Sequence, residues 1–140
     1  SEELWIWDVE RGKYEIAFKL ENGSLSAPVW SPDDQMIVFS GGNEIVFFDL
    51  AEQLFRRVPF PEDNIIVGSQ KFWSPDSTRL IVSVDMGWWL LTLADEEWQD
   101  LGNPYSFIER WIDDGAGLIV AVQEGDENVM KTIFLDQDSR

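Results

Sequence analysis

The sequence contains no cysteine and no histidine. Without cysteine there is no disulfide framework and no thiolate metal site, an absence that suits an oxidising or a reducing compartment equally well. Without histidine the commonest general base is gone, and with it the usual Ser–His and Cys–His pairs and most transition-metal sites. Basic residues are scarce as well: ten Lys and Arg stand against twenty-seven Asp and Glu, a formal charge of −17. Such a chain repels phosphate backbones and anionic lipid surfaces, which argues against nucleic-acid and membrane-surface roles. The charge itself reads first as solubility spread over turns and edges, ahead of an acidic docking surface. Long apolar runs are missing too: the longest, Leu118 to Val122, is far too short to span a bilayer. The opening Ser1-Glu2-Glu3 lacks the basic and then apolar pattern of a leader, and a soluble chain is expected. Nor does any segment sustain an apolar spacing of three to four residues over several turns, so helices are not expected.

What remains is an apolar sequence with a repeat. Hydrophobic residues make up 44%, with eight Trp, nine Phe and two Tyr, enough to bury a core in one domain over residues 1–140. Val29-Trp30-Ser31-Pro32-Asp33-Asp34 and Phe72-Trp73-Ser74-Pro75-Asp76-Ser77 are near copies, and Arg110-Trp111-Ile112-Asp113-Asp114-Gly115 is a weaker third. Each precedes a strand-like run: Met36 to Ser40, Arg79 to Ser83 and Gly117 to Ala121. A second series is in phase with the first: Leu4 to Asp8, Ile45 to Asp49, Trp88 to Thr92 and Thr132 to Asp136. Its last residues, Asp8, Asp49, Thr92 and Asp136, are 41, 43 and 44 positions apart, the period of four short strands per propeller blade.

Apolar residues fill both parities of these runs, as in strands covered on both faces, whereas Tyr14–Phe18, Phe55–Val58 and Trp98–Leu101 are more polar and suit an outer edge. The expected fold is therefore all-β, a β-propeller of about three four-stranded antiparallel blades, with boundaries near 1–25 (partial), 26–68, 69–105 and 106–140. Trp30, Trp73 and Trp111 are read as inner-strand core residues. Pro32 and Pro75 preset φ for a type I turn, and Asp33, Asp76 and Asp114 bond nearby amides. A metal or catalytic ring of those three aspartates is the weaker reading, because turn chemistry already accounts for them.

The Trp-Ser-Pro-Asp copies followed by short β-runs resemble the repeat of TolB-like propellers, found also in the propeller domains of prolyl-oligopeptidase-type serine peptidases. Trp7-Asp8 and Asp49 at strand ends are similar to WD-type repeats. The resemblance implies a propeller over nearly the whole chain and leaves function open, since propellers host many unrelated roles. The third copy lacks Ser-Pro, so its turn is where the geometry is expected to depart.

The remaining chemistry is carboxylate chemistry. Asp33 with Asp34, Glu96 with Glu97, and Asp113 with Asp114 are neighbours in predicted turns, where solvated charge outweighs a glycosidase couple. Asp126, Glu127 and Asn128, or Asp136 and Asp138, lack the spacing of a calcium loop, and Gly41-Gly42-Asn43 reads as a tight hairpin turn. Trp88 and Trp89 are expected in the core and Trp98 partly exposed. No catalytic residue, cofactor or metal is expected.

The leading reading is a non-catalytic interaction scaffold that binds a protein or peptide partner. One alternative is the gating propeller of a serine peptidase whose catalytic domain lies elsewhere; another is a TolB-like periplasmic envelope component. About three blades do not close a ring, so the chain is expected to belong to a longer propeller, with a dimer completing a six-bladed ring as the other arrangement.

Overall fold

The computed structural model describes residues 2–20, 25–62, 67–85, 87–102, 107–112 and 115–135. Its secondary structure is thirteen β-strands. The first sheet pairs β1 (Glu2–Asp8) with β2 (Lys13–Leu20). The second is β3 (Val29–Trp30), β4 (Met36–Gly41), β5 (Glu44–Asp49) and β6 (Leu54–Pro59); the third is β7 (Val67–Trp73), β8 (Arg79–Val84), β9 (Gly87–Thr92) and β10 (Glu97–Gly102). The last contains β11 (Phe107–Trp111), β12 (Gly117–Glu124) and β13 (Glu127–Phe134). Every sheet is an antiparallel meander in chain order, and the more polar β6 and β10 lie at sheet edges as expected.

Two-residue tips join the middle strands. Gly42 and Gly125 take positive φ there, and Asp85 does the same in the third sheet, as primed hairpin turns require. The middle strands β4, β5, β8 and β9 lost their alternation because both of their faces are covered. Val38, Ile45 and Phe47 of the second sheet pack on Trp73, Leu80 and Val82 of the third. Ile81, Trp88 and Leu90 of the third pack on Trp111, Leu118 and Val120 of the last. Between the first two sheets the cluster is smaller, with Leu4 set against Phe39 and Val46 and flanked by Phe18 and Leu25.

One register differs from the sequence reading. The amide of Leu135 donates to Ala116 O (2.8 Å), as Leu50 does to Gln35 O (2.9 Å) and Leu93 to Thr78 O (3.1 Å). Phe134, opposite Gly117, therefore holds the place of Asp49 and Thr92, and Asp136 lies outside the described residues. The cause is length: β12 and β13 have 8 residues each, against 6 in β4, β5, β8 and β9.

Candidate interaction groove

The repeated motif builds a repeated turn. In the second sheet Ser31 Oγ donates to Asp33 Oδ1 (2.6 Å) and accepts from the Met36 amide (3.0 Å), while the Gln35 amide donates to Asp33 Oδ1 (3.0 Å). In the third, Ser74 Oγ donates to Asp76 Oδ1 (2.8 Å) and accepts from the Arg79 amide (2.9 Å), and the Thr78 hydroxyl donates to Asp76 Oδ1 (2.7 Å). These bonds stabilise the ionised carboxylates. The Ser31 hydroxyl holds Asp33 below the usual carboxylate range, and the Thr78 hydroxyl followed by that of Ser74 does so for Asp76. Pro32 and Pro75 are exposed on these turns.

The third copy closes the same way without Ser-Pro. Ile112 N donates to Gly117 O (3.0 Å) and Gly115 N to Ile112 O (2.9 Å), matching the bonds of Ser31 and Asp34 and of Ser74 and Ser77. Asp34, Ser77 and Gly115 all have positive φ, so the weakest copy by sequence carries the residue best suited to that conformation. Asp113 and Asp114 lie outside the described residues. Adjacent turns touch: the Asp33 amide donates to Ser77 Oγ (3.2 Å), and Arg79 Nη2 donates to Gly115 O (2.5 Å) with its guanidinium 5.0 Å from the Trp111 ring centroid.

The tryptophans form a directional series. Trp73 Nε1 donates back to Val29 O (3.5 Å), and Trp111 Nε1 donates back to Phe72 O (3.0 Å). Each acceptor is the residue just before the preceding Trp of the motif. Trp73 and Trp111 are buried, as expected of core residues. Trp30 is not: it is 53% exposed, and among the described residues the neighbouring first sheet consists of β1 and β2, with no inner strand over the indole.

Trp30 instead lines an open groove of about 930 Å³ between the first and second sheets. Ile6, Trp7 and Tyr14 form one wall, and Trp30, Phe48 and Phe55 form the other. Tyr14 stacks against Trp5 (5.3 Å between centroids) and Trp7 (6.5 Å), and Phe55 against Phe48 (4.6 Å). Charge sits at the rim, where Arg11 pairs with Asp8 at 3.5 Å and Lys13 and Glu15 stand nearby. Among the described residues β1 pairs with β2 alone, and Ile6, Trp7 and Asp8 of β1 line this space. Exposed aromatics beside unpaired backbone suit the docking of an extended polypeptide. The sequence reading missed the groove, because it lies between two sheets and no single motif marks its walls.

A second feature the sequence did not reveal is Lys71, buried on β7. Its Nζ donates to Ser26 Oγ and Ser40 Oγ, each at 3.0 Å, and Ser26 Oγ also accepts from the Ser40 amide (2.8 Å). Burial pulls the Lys71 pKa down to about 8. The cluster ties the second sheet to the third. A lysine within Ser69-Gln70-Lys71-Phe72 reads as polar edge; its one hint is its place on an inner strand.

The other candidates from the sequence are placed as follows. Trp88 is buried, and Trp89 packs on Phe60 (4.8 Å). Trp98 is half-buried, its Nε1 donating to Pro59 O (3.2 Å). Glu96 pairs with Arg56 at 2.8 Å and its neighbour Glu97 is exposed. Asp126, Glu127 and Asn128 are exposed around a hairpin tip, and no three acidic groups converge on a metal position among the described residues. Asp138 lies outside the described residues.

No protein-family model and no curated protein matches the sequence. Solved structures do match in shape. A protein described as TolB from Agrobacterium tumefaciens superposes with a TM-score of 0.65 at 16% identity, over 95% of this chain and 50% of that one. Oligogalacturonate lyase from Vibrio parahaemolyticus gives 0.68 at 10% identity, over 97% and 42%. Dipeptidyl peptidase 4 from Porphyromonas gingivalis gives 0.71 at 14% identity, over 94% and 27%. The chain thus spans half or less of each. Identities this low speak for fold alone, and with the successive antiparallel sheets they identify the chain as a partial β-propeller.

Proposed function

We propose that the chain is a non-catalytic β-propeller interaction module, whose groove between the first and second sheets docks an extended segment of a protein or peptide partner. The groove is the observation that carries this reading. Its walls hold Trp7, Tyr14, Trp30, Phe48 and Phe55, the residue types that anchor interfaces, and β1, which among the described residues pairs with β2 alone, offers backbone donors and acceptors for an added strand. The turn aspartates are engaged in their own turns and Lys71 in binding hydroxyls, which is a structural use of both.

Phage-displayed peptides selected on the chain test it. Their binding should weaken by at least about tenfold on Trp30→Ala or Trp7→Ala, as for aromatic anchors. Selected peptides that bind both variants as tightly as the parent would overturn the groove as the docking surface.

A second reading is supported by the fold shared with the dipeptidyl peptidase: a gating propeller attached to a serine-peptidase domain. A Gly-x-Ser-x-Gly elbow elsewhere in the same polypeptide, with peptide hydrolysis by the whole protein, would favour it. The TolB-like shape supports the third, an envelope component, tested by locating the protein in cell fractions.

A further inference from the structure

Phe60, Trp89 and Trp98 meet at the junction of the second and third sheets, the two with four strands each. Their ring centroids lie 4.8 Å (Phe60–Trp89), 5.1 Å (Phe60–Trp98) and 6.4 Å (Trp89–Trp98) apart, and the ring planes cross at 81°, 80° and 77°. Three rings set mutually near-perpendicular form the inside corner of a box. Phe60 is its buried floor, and Trp89 and Trp98 are half-buried walls. The Trp98 wall is fixed across the junction, because its Nε1 donates to Pro59 O, one residue before the floor (3.2 Å). Asp100 stands opposite Trp89 in the β9–β10 ladder and two residues beyond Trp98, so it shares their face of the sheet. It is exposed, and its Oδ1 accepts from the Gly102 amide (2.7 Å), which steadies the carboxylate beside the walls.

The repeat does not demand this arrangement. The same register in the second sheet holds Val46, Phe55 and Arg57 in place of Trp89, Trp98 and Asp100, so one wall is lost and the charge is reversed. Arg56, which reaches from β6 to the third sheet, is held at the other end of β10 by Glu96 and Leu93 O. Edge-to-face packing alone is satisfied with all three rings buried, whereas here two walls stay partly open next to a fixed anion.

We propose that this corner binds a methylated ammonium group, the chemistry shared by free quaternary ammonium compounds and methylated lysine side chains. The methyl groups pack into the corner, the positive charge lies over the electron-rich ring faces, and Asp100 supplies the counter-charge. A bare ammonium is more strongly hydrated and gains less from an apolar corner. The −17 charge of the chain raises the local concentration of any cation. The corner uses none of the residues that line the groove, so it stands or falls separately from the docking of a polypeptide there.

Choline and the neutral alcohol in which carbon replaces its nitrogen have the same shape and differ in charge. Titrated into the unmodified chain by ligand-observed NMR, choline should bind at least about tenfold more tightly than the alcohol. Trp98→Leu, which keeps apolar volume on β10, should weaken choline at least about tenfold with the fold retained, and Asp100→Asn about threefold at low salt. Absence of choline binding overturns the proposal, as does equal binding of the neutral alcohol. A folded Trp98→Leu chain that binds choline like the parent overturns it too; if that variant melts, the alcohol comparison and Asp100→Asn decide. A peptide carrying one trimethyllysine, run beside its unmethylated form, separates the sources. Binding tighter than choline assigns the corner to a methylated protein, and binding equal to choline assigns it to a free quaternary ammonium compound.

Discussion

Trp73 and Trp30 carry the same motif in different surroundings, and their substitutions separate accordingly. Trp73→Ala leaves a void beside Phe47 and Leu80 and should cost about 3 to 5 kcal/mol in chemical denaturation. Trp30→Ala, half-exposed in the single chain, should cost less than about 1.5 kcal/mol under monomeric conditions. Equal losses at the two positions would contradict the exposure of Trp30. Lys71 gives a pH signature. Its folded pKa lies near 8, below the ordinary 10.5, so the unfolded chain binds more protons between those values and stability rises with pH across that window. Lys71→Met should remove this rise while leaving the melting temperature at pH 7 unchanged or higher. Parallel melting curves against pH for parent and variant would mean that Lys71 is not the group responsible. Neither distinction was legible in the sequence, because each depends on what the neighbouring sheet places over the side chain.

The turns and hairpins were the legible part. Ser-Pro-Asp announces a turn through its own chemistry, and the structure builds the two full copies with the same hydroxyl-to-carboxylate bonds. Asp76→Ala removes an acceptor for Ser74, the Thr78 hydroxyl and the Thr78 amide, and should cost about 1 kcal/mol in thermal melts. The third turn closes through Gly115 at φ 77, where Gly115→Ala should cost about 1 kcal/mol of strain although its Cβ would meet only Pro75 at 3.6 Å. Less legible was the last hairpin. A two-residue extension preserves which side chains face which way, so apolar patterning cannot distinguish the register from that of a shorter hairpin. Gly117 marks the true pairing: a Cβ there would collide with Ile133 O. Gly117→Ala should accordingly destabilise β12–β13 by about 1 to 3 kcal/mol, seen as faster amide exchange in that hairpin. Unchanged exchange would place β13 in another register.

At the scale of the molecule, the tryptophan bonds and the apolar clusters each reach one sheet back and no further. Stability in such an array is a sum of units and nearest-neighbour junctions. The junctions also read a position in the motif rather than a particular side chain, since Trp111 needs only the carbonyl of whatever residue precedes the Trp of the sheet before it. Joining Trp30 directly to Ser74, with the intervening unit removed, would bring Val29 O into the place of Phe72 O. A gene built of such units can gain or lose one by recombination between its own copies and still encode matching junctions, which makes unit number an evolutionarily adjustable quantity.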